Sequence, residues 1–356
     1  MSSHLSSAPD QICTGPIRTG IIGYGLSGRV FHSPFVAAHP EFVLDTIVTA
    51  DAGRRGQAAQ QHPSARLMNT ADDLMTDAAT RLNLIVIASP PATHVPLAHA
   101  ALDAGLAVVI DKPFAVTADD GRELIEKAER LGLMLTVFQN RRWDGDFLTL
   151  QALIAAGRLG EVRRFESRFE WWKPGQGKAW KAGATPREGG GVLYDLGAHL
   201  LDQALVLFGP VDDVYAEVLT RQAGGAADDD TFVALRHASG VRSHLWMNGL
   251  TGQKGPRFRV LGGALAYTTW GLDGQEPVLK LGGKPSDPGF GEVPEDRWGQ
   301  LGLDGALTPE PTLPGNYAAF YAGVADSLLR GAPVPVDPDD CLRVIELIER
   351  IHDSAR

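Results

Sequence analysis

The sequence predicts an α/β protein: an N-terminal doubly wound parallel sheet, followed by a C-terminal α+β domain with a large, mostly antiparallel open sheet. Three observations carry this. An apolar run containing Ile17, Ile21 and Ile22 leads into Gly23, Gly25 and Gly28, at G-x-G-x-x-G spacing. From there to Phe138, apolar strand-like runs alternate with helical segments, the pattern of a parallel sheet with crossover helices. Past Gln139 the pattern changes to runs of period-two alternation joined by short connections.

The 356 residues, 44% apolar and 21% charged, are enough for two cores rather than one. The expected division is a flexible leader over 1–16, a dinucleotide-binding domain over 17–139 and a substrate-binding and oligomerisation domain over 140–356, whose last helix packs back on the first. A formal net charge of −10 argues against a nucleic-acid or anionic-membrane partner, so local donors must hold an anionic cofactor. Two cysteines, Cys13 and Cys341, make no C-x-x-C pair and imply neither a disulfide framework nor a zinc site. The N-terminus lacks the basic start and apolar core of a signal peptide. No apolar run approaches the roughly 18 residues of a membrane span. The expected location is the cytoplasm.

In order, the glycine turn comes first. Gly23 makes the tight turn, Gly25 lets the backbone approach a pyrophosphate, and Gly28 lets the next helix pack close. Tyr24, Leu26 and Ser27 complete that loop, and the phosphates sit at the helix N-terminus. Residues 27–38 read as a helix interrupted near Pro34, and 42–49 as the second strand. A helix over 52–61, a strand over 65–68 and a helical turn over 71–75 follow. Residues 84–88 are continuously apolar, as in a strand buried on both faces. They end in Ser89-Pro90-Pro91, with Thr93 placed to cap a helix over 94–104. The strand 106–110 runs into Asp111-Lys112-Pro113; a helix over 118–131 and a strand over 133–138 complete the first region.

In the second region a helix over 146–156 precedes six expected strands: 162–172, 214–219, 231–237, 241–247, 258–261 and 264–270. Ala238-Ser239-Gly240 and Gly262-Gly263 read as hairpin turns. A helix over 191–208 lies between the first two strands. Residues 279–314, rich in Gly and Pro, read as an irregular excursion, and Asp228-Asp229-Asp230 as a solvated loop. Helices over 317–330 and from Pro338, capped by Asp337, close the chain.

Lys112 emerges at a strand's carboxyl end, where open α/β sheets bind ligands, and a lysine there polarises a substrate oxygen. Within the 191–208 helix, Asp195 and His199 are four apart and share a face, which Asp202 continues. A neutral imidazole beside a carboxylate is a general base. A satisfied helix histidine and an Asp-x-x-x-His-x-x-Asp metal site are the competing readings, and without a further His or Cys cluster no metal is assigned. On the strand 162–172, Arg164, Glu166, Arg168, Glu170 and Trp172 share one face, suited to a hydroxyl-rich ring or equally to an exposed sheet surface or oligomer contact. At the end of the second strand, Thr49, Ala50 and Asp51 decide cofactor choice. An acidic residue on the ribose selects NAD, whereas a small residue at the tip with Arg54 or Arg55 nearby accommodates the 2′-phosphate of NADP. Strand length puts Ala50 at the tip and Asp51 pointing away, which favours NADP.

Taken together, the glycine turn, the strand-end Lys-Pro and the Gly-rich Asp-x-x-x-His helix resemble the glucose–fructose oxidoreductase/inositol dehydrogenase (Gfo/Idh/MocA) family over nearly the whole chain. Gln139-Asn140-Arg141-Arg142-Trp143-Asp144 and the 194–203 segment look closest to its NADP-dependent scyllo-inositol dehydrogenase branch. The resemblance implies hydride transfer between nicotinamide C4 of NADP or NAD and a secondary alcohol of a small polyol or sugar. It implies Lys112, Asp195 and His199 as the catalytic residues. Ser89, Pro90, His94, Lys112 and Asn140 join the glycine turn and the 49–55 segment around the cofactor. Arg168, Trp172 and Tyr194 join Asp195 and His199 around the substrate. One departure is Asp111, where the family usually has Glu. Dehydrogenation of another substrate class on the same fold and non-catalytic dinucleotide sensing are the alternatives. A homodimer or homotetramer covering the second sheet is expected.

Overall fold

The apolar run at 84–88 folds as a central strand of a six-stranded sheet. This is seen in a computed structural model that describes residues 15–78, 81–175 and 184–355. Residues 1–14 of the expected leader, Cys13 among them, lie outside the described residues. The chain divides into two compact units. The first comprises Met1–Asn140, Glu276–Phe290 and Tyr317–Leu342; the second comprises Arg141–Gln275, Gly291–Asn316 and Arg343–Arg356. Neither is contiguous in sequence.

The first unit contains β1 (Ile17–Ile22), β2 (Phe42–Val48), β3 (Arg66–Met68), β4 (Leu84–Ile87), β5 (Ala107–Asp111) and β6 (Leu135–Phe138). They are all parallel, in the order β3-β2-β1-β4-β5-β6. Every residue of β4 is fully buried, as the absence of polar alternation requires. Strand order reverses at β1/β4, which opens a crevice at their carboxyl ends. Residues Ala318–Arg330 form a helix of this unit: Tyr321 stacks on Phe35, and its hydroxyl lies 2.7 Å from His32 Nδ1.

Pro34 interrupts the first helix in a definite way. Gly28–His32 is a π-turn, closed by the Ser33 amide on the Gly28 carbonyl, and Ser33–Ala38 continues as α-helix. Thr93 does not cap the His94–Asp103 helix with its side chain; its hydroxyl instead donates to the Pro90 carbonyl at 2.7 Å and meets Ser89 Oγ at 2.6 Å.

The second unit is built on eight strands rather than six. They are β7 (Val162–Glu170), β8 (Val211–Leu219), β9 (Asp230–His237), β10 (Arg242–Asn248), β11 (Phe258–Gly262), β12 (Ala266–Thr269), β13 (Gly299–Leu303) and β14 (Ala306–Glu310). Their order is β14-β13-β12-β11-β7-β10-β9-β8, antiparallel except for the β7/β10 pair. The excursion expected at 279–314 thus holds the last two strands of the sheet, of which β14 is the edge. Their alternation is hidden by Gly299, which leaves room for the Tyr267 ring, and by Pro309, tolerated on an outermost strand. Helix Ala198–Phe208 packs on the face that carries Phe165 and Phe169, with Phe208 5.4 Å from Phe165. Asp337 caps the closing helix, Pro338–Ser354, by accepting the Asp339 amide at 3.0 Å.

Candidate active site

The three motif glycines of the first unit are demanded by three different things. Gly23 has φ +99°, and a Cβ there would stand 2.6 Å from the Ala88 carbonyl oxygen. A Cβ on Gly28 would run into the Gly23 carbonyl, so close approach of the helix excludes any side chain. Gly25 faces open space, with no described atom within 4 Å of a Cβ position. An open backbone at a helix start beside the β1/β4 crevice is a cradle that fits a pyrophosphate. Leu26 is exposed and Ser27 half-buried in this loop. Tyr24 turns inward, its hydroxyl donating to Gln61 at 2.6 Å, so only its backbone is available to a ligand.

Two strands across the same edge, β5 delivers Asp111 and Lys112, and the Lys112–Pro113 peptide is cis. Asp111 accepts the Lys112 amide at 2.8 Å and faces His32 at 4.0 Å. Burial raises the Asp111 pKa, but His32, Lys112 and Ser27 outweigh it and hold the carboxyl below the usual carboxylate range. His32 and Tyr321 therefore back the lysine loop, a role that the sequence pattern did not signal. His94 is placed differently from expectation. It is 1% exposed, with Nδ1 2.9 Å from the Pro113 carbonyl and Nε2 2.9 Å from the Ser89 carbonyl. Burial lowers the His94 pKa, and the neutral ring carries one N–H, so it donates to one of these carbonyls and only faces the other, lying between the β4 end and the Lys112–Pro113 loop. Pro90 is exposed beside Ser89, and Asn140 is buried at the end of the unit.

At the tip of β2, Thr49 stays paired, its amide donating to Met68. Asp51 caps the Ala52–Gln61 helix by accepting the Arg54 amide at 2.8 Å. The two arginines then separate. Arg55 is spent on Asn69 at 2.8 Å and the Leu67 carbonyl at 2.9 Å. The Arg54 side chain is exposed and enters no described side-chain hydrogen bond or ion pair.

In the second unit the helix carrying Asp195 and His199 also opens with a π-turn, Leu193–Gly197, before Ala198–Phe208 continues as α-helix. Each π-turn follows one of the two glycine motifs; such turns concentrate at functional sites. Asp195 lies within the turn and is half-buried; His199 is 6% exposed and meets the Phe169 ring edge-on at 6.1 Å. Below His199, Asp202 is gripped by Arg142 through two hydrogen bonds of 2.9 and 2.6 Å, a bidentate pair. This holds the carboxylate that the metal reading would have used. Gln203 donates to the Arg141 carbonyl at 2.9 Å and accepts from buried Arg257 at 2.7 Å, while Arg257 lies over Phe169 and Phe258. Arg257 was not singled out in the sequence, because an isolated arginine before a strand carries no pattern.

Three expected substrate residues have neighbours of their own. Strand parity puts Phe165, Ser167 and Phe169 under the helix, so Arg168 is on the opposite face. There it pairs with Glu166 at 2.8 Å and lies 3.8 Å over the Trp246 ring. Trp172, 62% exposed, bridges to Leu250 beyond the end of β7, while its neighbour Trp171 contacts Phe169 at 5.7 Å. Tyr194 is buried and stacks on His352 at 5.9 Å, and burial with Glu349 and Asp228 nearby pushes its hydroxyl up to about 12.

A parallel sheet of this order, with a glycine cradle at its switch point, is the dinucleotide-binding part of an NAD(P)-dependent oxidoreductase. Residues 17–139 match the oxidoreductase family with an NAD-binding Rossmann fold, and residues 147–265 match the GFO/IDH/MocA C-terminal domain. The chain belongs to the Gfo/Idh/MocA family. It is 39% identical over 350 residues to the uncharacterized oxidoreductase YdgJ of Escherichia coli K12, covering 96% of each chain. It is 32% identical to scyllo-inositol 2-dehydrogenase (NADP(+)) IolW of Bacillus subtilis 168, covering 96% of this chain and 94% of that one. The solved structure of the putative oxidoreductase yvaA from Bacillus subtilis superposes with a TM-score of 0.89 at 30% identity, over 96% of both chains. Among the described residues no helix is long and apolar enough to cross a membrane.

Proposed function

We propose that this protein is an NADP-preferring cytoplasmic dehydrogenase acting on a secondary alcohol of an inositol-like polyol or sugar. The observation that supports it most is the helix bearing Asp195 and His199, held from below by Arg142 on Asp202. Likeness to a relative named for scyllo-inositol and NADP points to the substrate class. Bound NADP supplies the hydride acceptor. Lys112 hydrogen-bonds the substrate oxygen and stabilises its developing negative charge. His199 takes the hydroxyl proton, and Asp195 orients the alcohol or the imidazole.

Cofactor choice rests on Arg54, whose guanidinium is left for a 2′-phosphate, while Asp51 is engaged in capping its helix. Arg54→Ala is expected to lower kcat/KM with NADP by roughly 10- to 100-fold and to leave that with NAD nearly unchanged. Arg55→Ala should not alter the ratio. Reduced-nicotinamide absorbance across inositols and aldoses, with each cofactor, measures both substrate and preference. Wild-type preference for NAD would return Asp51 to the ribose, and cofactor binding without turnover on any of these would favour a sensor.

For assembly, the second-unit face carrying Tyr215, Phe232, Trp246 and Arg168 is the proposed contact with a second copy of this chain. Tyr215 is 47% exposed, and Phe232 and Trp246 lie 5.1 Å apart beside it. A rimmed aromatic patch of this kind is a usual contact surface. Trp246→Glu should yield monomers by light scattering; an unchanged oligomer places the contact elsewhere.

A further inference from the structure

We propose that Asp228 is a positioning residue for the reaction: a buried carboxylate that anchors the start of the helix carrying Asp195 and His199. This rests on the reading of that helix as catalytic. The three consecutive aspartates are not a solvated loop. Asp229 accepts the amides of Arg221 at 2.7 Å and Gln222 at 2.9 Å, and Asp230 pairs with the Arg221 guanidinium at 3.0 Å and with Asn248 at 2.6 Å. Asp228 alone turns toward the helix and is 5% exposed. Its Oδ2 accepts the Leu193 amide at 2.9 Å and the Thr231 hydroxyl at 2.6 Å, and its backbone carbonyl accepts the Val192 amide at 3.0 Å.

The first amides of any helix have no acceptor within it, and a polar N-cap side chain usually supplies one. Here the N-cap is Val192, which has no such group, and the acceptor comes from 35 residues downstream. A carboxylate at that end also complements the helix dipole. The glycine run before the helix bears the imprint of this contact. Gly191 has φ +96°, and a Cβ on it would run into Asp228 Oδ1. Leu193, the anchored residue, opens the π-turn that contains Asp195 and delivers the chain to His199. A shift of the anchor therefore displaces both functional groups, and a displacement of about 1 Å at a reacting group costs up to about 100-fold in rate.

The test uses the full chain with NADP and scyllo-inositol, together with the NMR signal of the His199 imidazole. Asp228→Ala is expected to lower kcat about tenfold or more with KM for NADP unchanged, and to displace the His199 signal. Asp228→Asn keeps an oxygen that accepts the same two hydrogen bonds, and should restore both the signal and most of kcat. Thr231→Val, which removes one donor, should fall between. Wild-type kcat with an unmoved His199 signal in Asp228→Ala overturns the proposal; if that variant does not fold, the same result in Thr231→Val does so. Full activity in a parallel His199→Ala variant would instead overturn the catalytic reading. The NMR signal decides the anchoring even if scyllo-inositol is not turned over.

Discussion

Lys112→Ala and His199→Ala are each expected to lower kcat by on the order of 100-fold or more while leaving NADP affinity nearly unchanged. The reasons differ. Lys112 follows the last residue of β5, on a loop backed by Asp111 and held by His94, so its removal keeps the backbone contacts of the loop while deleting a donor and a positive charge beside Asp111. His199 lies on a helix held near its start by Arg142 on Asp202, so alanine there deletes the proposed base and its ring contact with Phe169 while the helix stays anchored. Asp195→Asn is expected to cost less if the carboxylate orients substrate, and as much if it holds the imidazole's tautomer. Single-turnover rates at saturating cofactor, with cofactor affinity from fluorescence titration, separate chemistry from binding. Near-wild-type turnover on the true substrate in either alanine variant removes that residue from the mechanism.

Arg142→Ala has the largest expected effect on stability. Asp202 is 2% exposed and accepts two hydrogen bonds from Arg142, so alanine takes a counter-ion away from a buried charge. Breaking a buried pair from one side costs about 3–5 kcal/mol. Replacing both partners with leucine should recover much of this, because the desolvation cost goes with the charges. Urea unfolding of the single and double variants measures both numbers. A midpoint for Arg142→Ala indistinguishable from wild type would show that other contacts satisfy Asp202.

Much of this was legible in the residues. The strands of the first sheet announce themselves because both faces are buried, and the helix over 52–61 matches residue for residue. The glycine motifs mark both places where helices open with π-turns, though nothing in composition distinguishes a widened turn from an ordinary one. The rest was hidden for physical reasons. Alternation on β7 defines two faces but not which one a helix will cover, so the sequence does not show that Arg168 lies on the face away from the helix, over Trp246. Tyr194 stands next to Asp195, yet one residue along a helix is about a quarter-turn or more, enough to point it at His352 instead. Three aspartates in a row look solvated until Asp228 is seen to meet amides 35 residues earlier.

The division of each unit among separate stretches of chain bears on synthesis from the ribosome. Phe35, Phe42 and Phe138 form one aromatic cluster with Phe320 and Tyr321, and His32 meets Tyr321 across 289 residues. The nucleotide-binding sheet therefore emerges first but acquires its aromatic cover only when most of the polypeptide has followed. During that interval its apolar surface has no permanent partner, the condition under which nascent chains depend on chaperones.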